Sequence, residues 1–289
     1  MNITKITDLD IVTQFLEQSN VAFASYHYKI PLEKTAKESY LQDIMQNDGI
    51  YAFTDTQHSE VIRAVIFGFA YEPHKYKVVG PFITGEDAPS DDVFASWIAQ
   101  FVDALDSEAT YNFSFDKLTQ TYISRMSEID AHFTFTDYYL ATQQDVGPAA
   151  NAQHIVKYSP VYDKLFHKMH AQTFRHDVMS AKTITDQLDD THVLYLYLSE
   201  GLLKGYVYFE IDSETERAEI KYFTAHEDYR LMGIAFNLLR HSLDILFNDY
   251  RVKTTHFKIR SKNDKLIDRF NELGFTVNYE LQKFKKTVN

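Results

Sequence analysis

Apolar and polar residues follow two spacings along this chain, and their order predicts an α/β protein. Runs in which apolar side chains alternate with polar ones predict strands, and segments in which apolar residues recur every three or four positions predict helices. In the second half the predicted elements are, in chain order, a strand at 154–158, helices at 161–174 and 183–188, strands at 192–198, 204–211 and 218–224, a helix at 236–247, a strand at 254–260 and a helix at 264–273.

The first half shows the same order of predicted elements. They are a strand at 2–5, helices at 8–18 and 31–46, strands at 50–54, 61–71 and 76–83, a helix at 91–105, a strand at 110–115, a helix at 118–129 and a strand at 132–141. Short echoes at a nearly constant offset support a duplication, since Phe113-Ser114-Phe115 recurs as Phe257-Lys258-Ile259 and the run from Phe133 recurs from Phe275. The alternative is chance similarity between strands of a β-rich chain.

The segment Arg230-Leu231-Met232-Gly233-Ile234-Ala235 joins a predicted strand to a predicted helix. The first backbone N–H groups of a helix have no intrahelical partner and carry the positive end of its dipole, so they suit a phosphate group. Gly233 allows the backbone to approach an anion closely because it has no Cβ. Many strand-to-helix turns contain a glycine and bind nothing, so this loop alone is weak evidence for an anion site.

A known family carries both this loop and a second motif found here. The pattern Arg230-x-x-Gly233-x-Ala235 resembles the phosphate loop Q/R-x-x-G-x-G/A of the GNAT N-acetyltransferase superfamily. The predicted strand at 254–260 separates it from the second motif, as the family order requires.

The second signature of that family is N-x-x-A-x-x-x-Y-x-x-x-G-F. Asn263 and Gly274-Phe275 match it in register, and Gly274 stands where a left-handed helix C-cap is expected. Two positions depart from it: Leu266 replaces the usual small residue, and Phe270 replaces the usual tyrosine. Two motifs in the right order make the resemblance fairly specific.

The resemblance implies an α/β (α+β) fold with two acyl-CoA N-acyltransferase (GNAT-like) domains in tandem, each a mixed, mostly antiparallel sheet flanked by helices. It implies acetyl-CoA or another acyl-CoA as cosubstrate and an amine of a small molecule or peptide as acceptor, without a metal. The residues expected to bind the cosubstrate are Phe223, Thr224, Ala225, Arg230, Leu231, Met232, Gly233, Ile234, Ala235, Asn263 and Phe270.

Acyl transfer to an amine requires a base that takes a proton from the ammonium form. Glu219 is the predicted base, because it lies on the strand before the loop, where similar family members hold a glutamate. Partial burial would raise its pKa toward the working range. The alternative is an ordinary surface glutamate that pairs with Lys204 or Arg217.

The family tyrosine usually protonates the leaving thiolate, and Phe270 cannot do so. Three alternatives follow: water protonates the thiolate, Tyr222 or Tyr279 replaces the tyrosine, or the domain binds the cosubstrate without turnover. We take Tyr279 as the predicted acid beside Glu219. The last alternative corresponds to a catalytically degenerate acyl-CoA-binding or ligand-sensing protein. In each case Phe270 can still pack against the pantetheine arm or in the core.

In the first half the loop position is occupied by Gly80-Pro81-Phe82-Ile83-Thr84-Gly85-Glu86-Asp87, which lacks the phosphate-loop pattern. Pro81 removes an N–H donor, and the acidic residues would repel a pyrophosphate. We therefore predict a degenerate GNAT-like domain without a coenzyme A loop at 1–142, which is structural or forms one wall of the substrate site. A linker at 143–152 and a cosubstrate-binding domain at 153–289 follow.

Composition narrows the functional classes. The 289 residues include no cysteine, which excludes disulfides, thiol nucleophiles and cysteine-bound zinc. A formal net charge of −12 argues against nucleic acid as the main partner. His167 and His170 have helical spacing but no carboxylate in register, so packing is favoured over a metal site. The polar start and the lack of a long apolar run predict a cytoplasmic protein without a membrane partner. We expect a monomer or a homodimer.

Overall fold

The computed structural model describes residues 2–19, 34–47, 49–54, 61–84, 90–174, 179–229 and 232–288. It contains two compact units, of which the first comprises Met1–Tyr138 and Tyr279–Asn289 and the second comprises Tyr139–Asn278. The units differ from the predicted domains 1–142 and 153–289 because the last residues of the chain belong to the first unit. The final strand of the chain is added to the sheet of the first unit, and no local pattern in the sequence encodes this pairing.

The first unit packs helices on a sheet. Its elements are β1 (Asn2–Ile6), α1 (Leu9–Glu17), α2 (Lys34–Asn47), β2 (Ile50–Thr54), β3 (Ile62–Glu72), β4 (Lys75–Ile83), α3 (Asp91–Leu105), β5 (Thr110–Asp116), α4 (Gln120–Ile123) and the start of β6 (His132–Thr142). Strands β1 to β4 pair antiparallel in order, and β5 is parallel to β4. Asp8 caps α1 as a side-chain acceptor for the amides of Asp10 and Ile11.

The predicted helix at 118–129 is wrong in length. The chain forms only the short α4 and a 3₁₀ turn at Met126–Ile129. Between them the amide of Arg125 bonds the carbonyl of Tyr122, an i−3 pattern that tightens the backbone. Asp130 ends the turn with a positive φ of 56°.

The second unit repeats this plan. Its elements are β7 (Ile155–Lys157), α5 (Asp163–Thr173), α6 (Ala181–Asp186), β8 (His192–Ser199), β9 (Leu202–Asp212), β10 (Arg217–Ala225), α7 (Ile234–Asn248), β11 (Thr254–Arg260), α8 (Asp264–Asn271) and the start of β12 (Thr276–Thr287). Strands β7 to β10 pair antiparallel in order, and β11 is parallel to β10. Among the described helices, none has both the length and the apolar character needed to cross a bilayer.

The end of β12 completes the sheet of the first unit. Leu281 to Thr287 pair antiparallel with β5, and Phe284 is 94% buried, with its ring edge-on to Phe115 and Phe133. The basic run at 283–286 is part of this strand, and the ammonium of Lys286 donates to the carbonyl of Ile129. Lys286 therefore serves the fold of the first unit.

A buried histidine ties α5 and α6 to the sheet of the second unit. His170 on α5 is 2% exposed, and its Nδ1 lies 2.6 Å from the hydroxyl of Tyr206 on β9. Its Nε2 lies 2.8 Å from the carbonyl oxygen of Met179, which precedes α6. Because a carbonyl only accepts, Nε2 carries the hydrogen and Nδ1 accepts from Tyr206. The amide of Met179 donates to the hydroxyl of Tyr222 on β10, so both polar groups of this residue are held.

Burial lowers the pKa of His170, and the hydrogen bond to Met179 opposes that change. Burial also lowers the pKa of His241 and of His256, both in this unit. The folded second unit therefore keeps these imidazoles neutral below the pH at which they become protonated in the unfolded chain.

We expect Phe284→Ala to destabilise the first unit by about 3 to 5 kcal/mol, because it removes a buried ring from the strand that completes that sheet. Denaturant unfolding followed by hydrogen exchange of β5 measures the effect. Lys285→Ala, at an exposed position of the same strand, is the matched control and should change stability little. Equal stability of the Phe284 variant and the wild type would contradict this account.

We expect the free energy of unfolding of the second unit to fall as pH drops below about 6.5, the ordinary pKa of histidine. Below that value the unfolded chain binds protons that the folded unit excludes, so unfolding is favoured. His170→Gln should weaken this pH dependence. It should also lower the free energy of unfolding at pH 7.5 by about 1 to 3 kcal/mol, because the hydrogen bonds of the imidazole are lost. Unfolding titrations at pH 7.5, 6.5 and 5.5 test it, with His132→Gln, an exposed histidine of the first unit, as control.

Candidate functional site

The site of the second unit begins where two parallel strands diverge. β10 and β11 pair from Arg217–Thr254 to Ile220–Phe257, and no pair beyond that is found among the described residues. The ladder between β10 and β9 shifts register at Lys221, which is the extra residue of a β-bulge. From Tyr222 to Ala225, β10 stays paired with β9 alone. The edge of β10 that faces β11 is therefore not paired with a strand here. Its backbone groups face the gap between β10 and β11.

The loop that follows β10 ends at the N-terminus of α7. Gly233 is the N-cap residue, with φ 71° and ψ 9°, and no heavy atom among the described residues lies within 4 Å of a Cβ built on it. The amides of Gly233, Ile234, Ala235 and Phe236 have no hydrogen-bond acceptor among those residues. Gly233 and Met232 are exposed, so this helix terminus faces solvent. Arg230 and Leu231 lie outside the described residues.

A second glycine determines how closely α7 packs on the sheet. A Cβ on Gly205 of β9 would lie 2.6 Å from the carbonyl oxygen of Thr224 and 3.0 Å from side-chain atoms of Ile234 and Leu238. Only a residue without a side chain allows the first turn of α7 to lie directly over the end of β10. Ile234 is buried there, while Ala235 is half-buried. Ile234, one of the residues predicted to bind the cosubstrate, thus has a structural role in the packing of α7.

Lys204 supports the turn before the loop. Its ammonium donates to Glu200 at 2.5 Å and lies 4.7 Å from the ring centroid of Tyr229. This hydrogen bond raises the pKa of Lys204. The amide of Met232 donates to the carbonyl of Tyr229, so the cation–π contact and this bond connect β9 with the start of the loop.

The predicted second signature is only partly available for binding. Asn263 is the N-cap residue of α8, but its exposed side chain makes no capping hydrogen bond and remains available for a ligand. Gly274 has a φ of 78°, and the amide of Phe275 bonds the carbonyl of Phe270, which is the Schellman ending expected of this glycine.

Phe270 lies in an aromatic cluster. It is fully buried, stacks on Phe257 with a centroid distance of 4.4 Å and meets Phe223 edge-on at 5.7 Å. Phe223 and Phe257 come from the two diverging strands, so their contact with Phe270 closes the core behind the gap. These contacts match the alternative in which Phe270 packs in the core, and its ring offers no proton to a thiolate.

Glu219 lies on the face of the sheet that α5 and α6 cover. Its side chain is 20% exposed, and its carboxylate is 3.1 Å from the ammonium of Lys221. The same ammonium lies 2.9 Å from Glu210, which is the register partner of Glu219 on β9. Lys204, one of the alternative partners predicted for Glu219, pairs with Glu200 at 2.5 Å.

On the other side of Glu219 stands His256 of β11, its register partner in the parallel pair. Burial lowers the pKa of His256, Arg217 lowers it further, and Glu219 raises it. Its Nε2 is buried, without a hydrogen-bond partner among the described residues. A neutral imidazole therefore borders the predicted base.

The two candidate tyrosines occupy different places. Tyr222 pairs with Tyr208 across the strands, packs against the α5–α6 core and accepts a hydrogen bond from Met179 at 2.9 Å. Tyr279, the predicted acid, belongs to the first unit.

Three residues of this region escaped prediction: Lys221, Glu210 and Gly205. The register of the β9–β10 hairpin would have revealed Glu210, because equal steps back from Asp212 and forward from Arg217 bring it opposite Glu219. Lys221 reaches both carboxylates only because of the bulge, and Gly205 matters only because α7 packs there.

A cavity of about 220 Å³ lies away from this site. It is lined by Ala141, Thr142, Gln143, Thr254, Gly274, Thr276 and Asn278. Thr254 begins β11 and pairs with the start of β10, whereas the loop follows the far end of β10. No group of three or more potential metal ligands occurs among the described residues.

Known proteins resemble this chain in sequence over part of its length and in fold over nearly all of it. Residues 160–275 match the model of the acetyltransferase (GNAT) family. None of the curated proteins matches the sequence significantly.

Among solved structures, a GCN5-related N-acetyltransferase from Sphaerobacter thermophilus has a TM-score of 0.69 at 10% identity, covering 87% of this chain and 86% of its own. A tandem GNAT protein from the clavulanic acid biosynthesis pathway has a TM-score of 0.64 at 11% identity, with 100% and 98% covered. A GNAT-family acetyltransferase from Colwellia psychrerythraea has a TM-score of 0.61 at 13% identity, with 99% of each chain covered.

The matched residues contain the diverging strands, the glycine loop and α7, and the whole-chain fold matches that of a tandem GNAT protein at 11% identity. Residues 160–275 therefore form a domain of the acetyltransferase (GNAT) family, within a chain that has the fold of a tandem GNAT protein.

Proposed function

We propose that the second unit binds acetyl-CoA or another acyl-CoA and transfers the acyl group to an amine of a small molecule or peptide. The observation that carries the proposal is the end of β10–β11 pairing at Ile220–Phe257, followed by a solvent-facing helix terminus at Gly233. A gap bordered by backbone amides suits the amide-rich pantetheine arm, and the terminus suits a pyrophosphate.

In this proposal the amides from Gly233 to Phe236 hold the pyrophosphate, and Arg230 contributes its charge. Asn263 binds the pantetheine in this proposal, which the absence of a capping bond from its side chain supports. The free edge of β10 from Tyr222 to Ala225 supplies an N–H to polarise the thioester carbonyl. Phe223 contributes to the wall behind the gap through its contacts with Phe257 and Phe270.

Transfer proceeds by attack of a neutral amine. Glu219 accepts a proton from the ammonium form, directly or through water, and the amine nitrogen then bonds the thioester carbonyl carbon. The carbon–sulfur bond breaks, the thiolate leaves with the electron pair, and the nitrogen gives its second proton to water as it becomes the neutral amide. Because Phe270 has no hydroxyl, we assign the protonation of the thiolate to water.

A second candidate is an acyl-CoA-binding protein without turnover. The observation that favours it is the complete burial of Phe270 against Phe257 at the position of the family tyrosine. In that case the gap and the helix terminus would hold the ligand, and Glu219 would only pair with Lys221. A cytoplasmic location is part of the proposal for either candidate.

We expect acetyl-CoA to raise the melting temperature of the protein, since a ligand at 100 times its Kd stabilises the folded state by about 2.7 kcal/mol. Gly233→Asp should abolish that rise, because its carboxylate would stand against the pyrophosphate. Gly201→Asp is the matched control, since Gly201 is also exposed and left-handed, with φ 73° and open space around it. An unchanged melting temperature of the wild type with every acyl-CoA tested would overturn both candidates.

Glu219→Gln should lower thiol release from acetyl-CoA in the presence of a panel of primary amines by about 10² to 10⁴-fold while leaving the thermal shift intact. The reason is that the amide cannot accept the ammonium proton, although the cosubstrate site is unchanged. Glu214→Gln, in the exposed hairpin turn, is the control. Cosubstrate binding without thiol release from the wild type would favour the non-catalytic candidate.

A further inference from the structure

A lysine lies between two carboxylates at the bulge of β10. Glu210 and Glu219 are register partners on β9 and β10, an arrangement in which like charges repel. The Nζ of Lys221 lies 2.9 Å from Glu210 and 3.1 Å from Glu219. The side chain of Lys221 is 14% exposed, so this ion triad is screened much less than a surface pair.

The bulge makes the triad possible. Lys221 is the residue without a partner on β9, because Ile220 pairs with Phe209 and Tyr222 pairs with Tyr208. The extra residue therefore extends β10 by one position beside the end of its pairing with β11. This is the place where the proposed function positions the thioester.

Glu210 is itself fixed from the helical side. The hydroxyl of Tyr208 donates to its Oε1 at 3.3 Å, and the amide of Gln187 donates to the same hydroxyl. Burial raises the pKa of Tyr208, and Glu210 raises it further, so the phenol stays protonated as a donor. These contacts keep the carboxylate of Glu210 next to the ammonium of Lys221.

We propose that Lys221 is a positioning residue for the acyl transfer. Its ammonium holds Glu219 ionised and oriented at the bulge, and the same ammonium pairs with Glu210. This inference rests on the proposed function, because it assumes Glu219 as the base. Without Glu210, the ammonium would be committed to Glu219 and would compete with the substrate proton. Without Lys221, two facing carboxylates would remain, and Glu219 would bind a proton more readily.

The charges that face Glu219 come from three strands. Its own strand carries Arg217 and Lys221, β9 carries Glu210, and β11 carries the neutral His256. The helical side meets the triad through Tyr208. Lys221 contacts both carboxylates, so its removal is expected to change their titration.

The test is the pH dependence of Glu219 in the full-length protein. In Lys221→Met, the acidic limb of kcat/KM for thiol release should move to higher pH by about one unit. The reason is that an adjacent positive charge normally lowers the pKa of a carboxyl group by about one unit or more. In Glu210→Gln the limb should move to lower pH. Lys221→Arg should restore the wild-type profile.

A direct measurement accompanies the kinetics. The ¹³C carboxyl resonances of labelled glutamate, assigned with Glu219→Gln and Glu210→Gln, report the titration midpoint of each side chain without any substrate. The midpoint of Glu219 should rise in Lys221→Met. Lys182→Met breaks an exposed lysine–aspartate pair on α6 and should leave the midpoint unchanged.

The outcomes separate the inference from the proposed function. If the wild type releases no thiol while the Glu219 midpoint moves as expected, the transferase proposal fails and the electrostatic coupling stands. If thiol release occurs but neither the pH limb nor the midpoint moves in Lys221→Met and Glu210→Gln, the positioning role is overturned. If Lys221→Met does not fold, Glu210→Gln alone decides by the direction of its shift.

Discussion

The structure of the candidate site depends on the point at which β10 leaves β11. Parallel strands normally satisfy each other's backbone groups along their length, and here that pairing stops at Ile220–Phe257. The bulge at Lys221 accompanies the change, and the rest of β10 relies on β9. The gap, the exposed strand edge and the direction in which the chain enters α7 all follow from it. A ladder that continued would close the gap between the two strands.

Packing keeps this opening in shape. On one face, the absence of a side chain at Gly205 lets α7 lie against the end of β10. On the other, the buried His170 connects α5 to β9 through Tyr206 and to the start of α6 through Met179. Phe270 fills the core between the diverging strands. This ring lacks the hydroxyl that the family places at this position.

The first unit repeats the divergence without the loop. β4 pairs with β5 only from Lys75 to Lys77, and its register against β3 shifts at Gly80-Pro81. A Cβ on Gly80 would lie 2.9 Å from the carbonyl oxygen of Val65, and Pro81 has no N–H to offer. The shared strand order and bulge position support the duplication, and the different residues at the bulge support a structural role for this half. Residues 85–87 of the predicted loop position lie outside the described residues.

Local patterns in the sequence determined the order of helices and strands, the cap at Asp8, the left-handed ending at Gly274 and the placement of a glycine before α7, because each depends on neighbours within a few positions. The family resemblance then located Glu219 and Asn263. Only the tertiary structure decided that Lys221 reaches two carboxylates, that Phe270 is sealed against Phe257 and that Tyr279 belongs with the first unit. Those features come from a strand register, a bulge and a final strand added to an earlier sheet. Contacts between residues far apart in the chain have no signature in the spacing of its side chains.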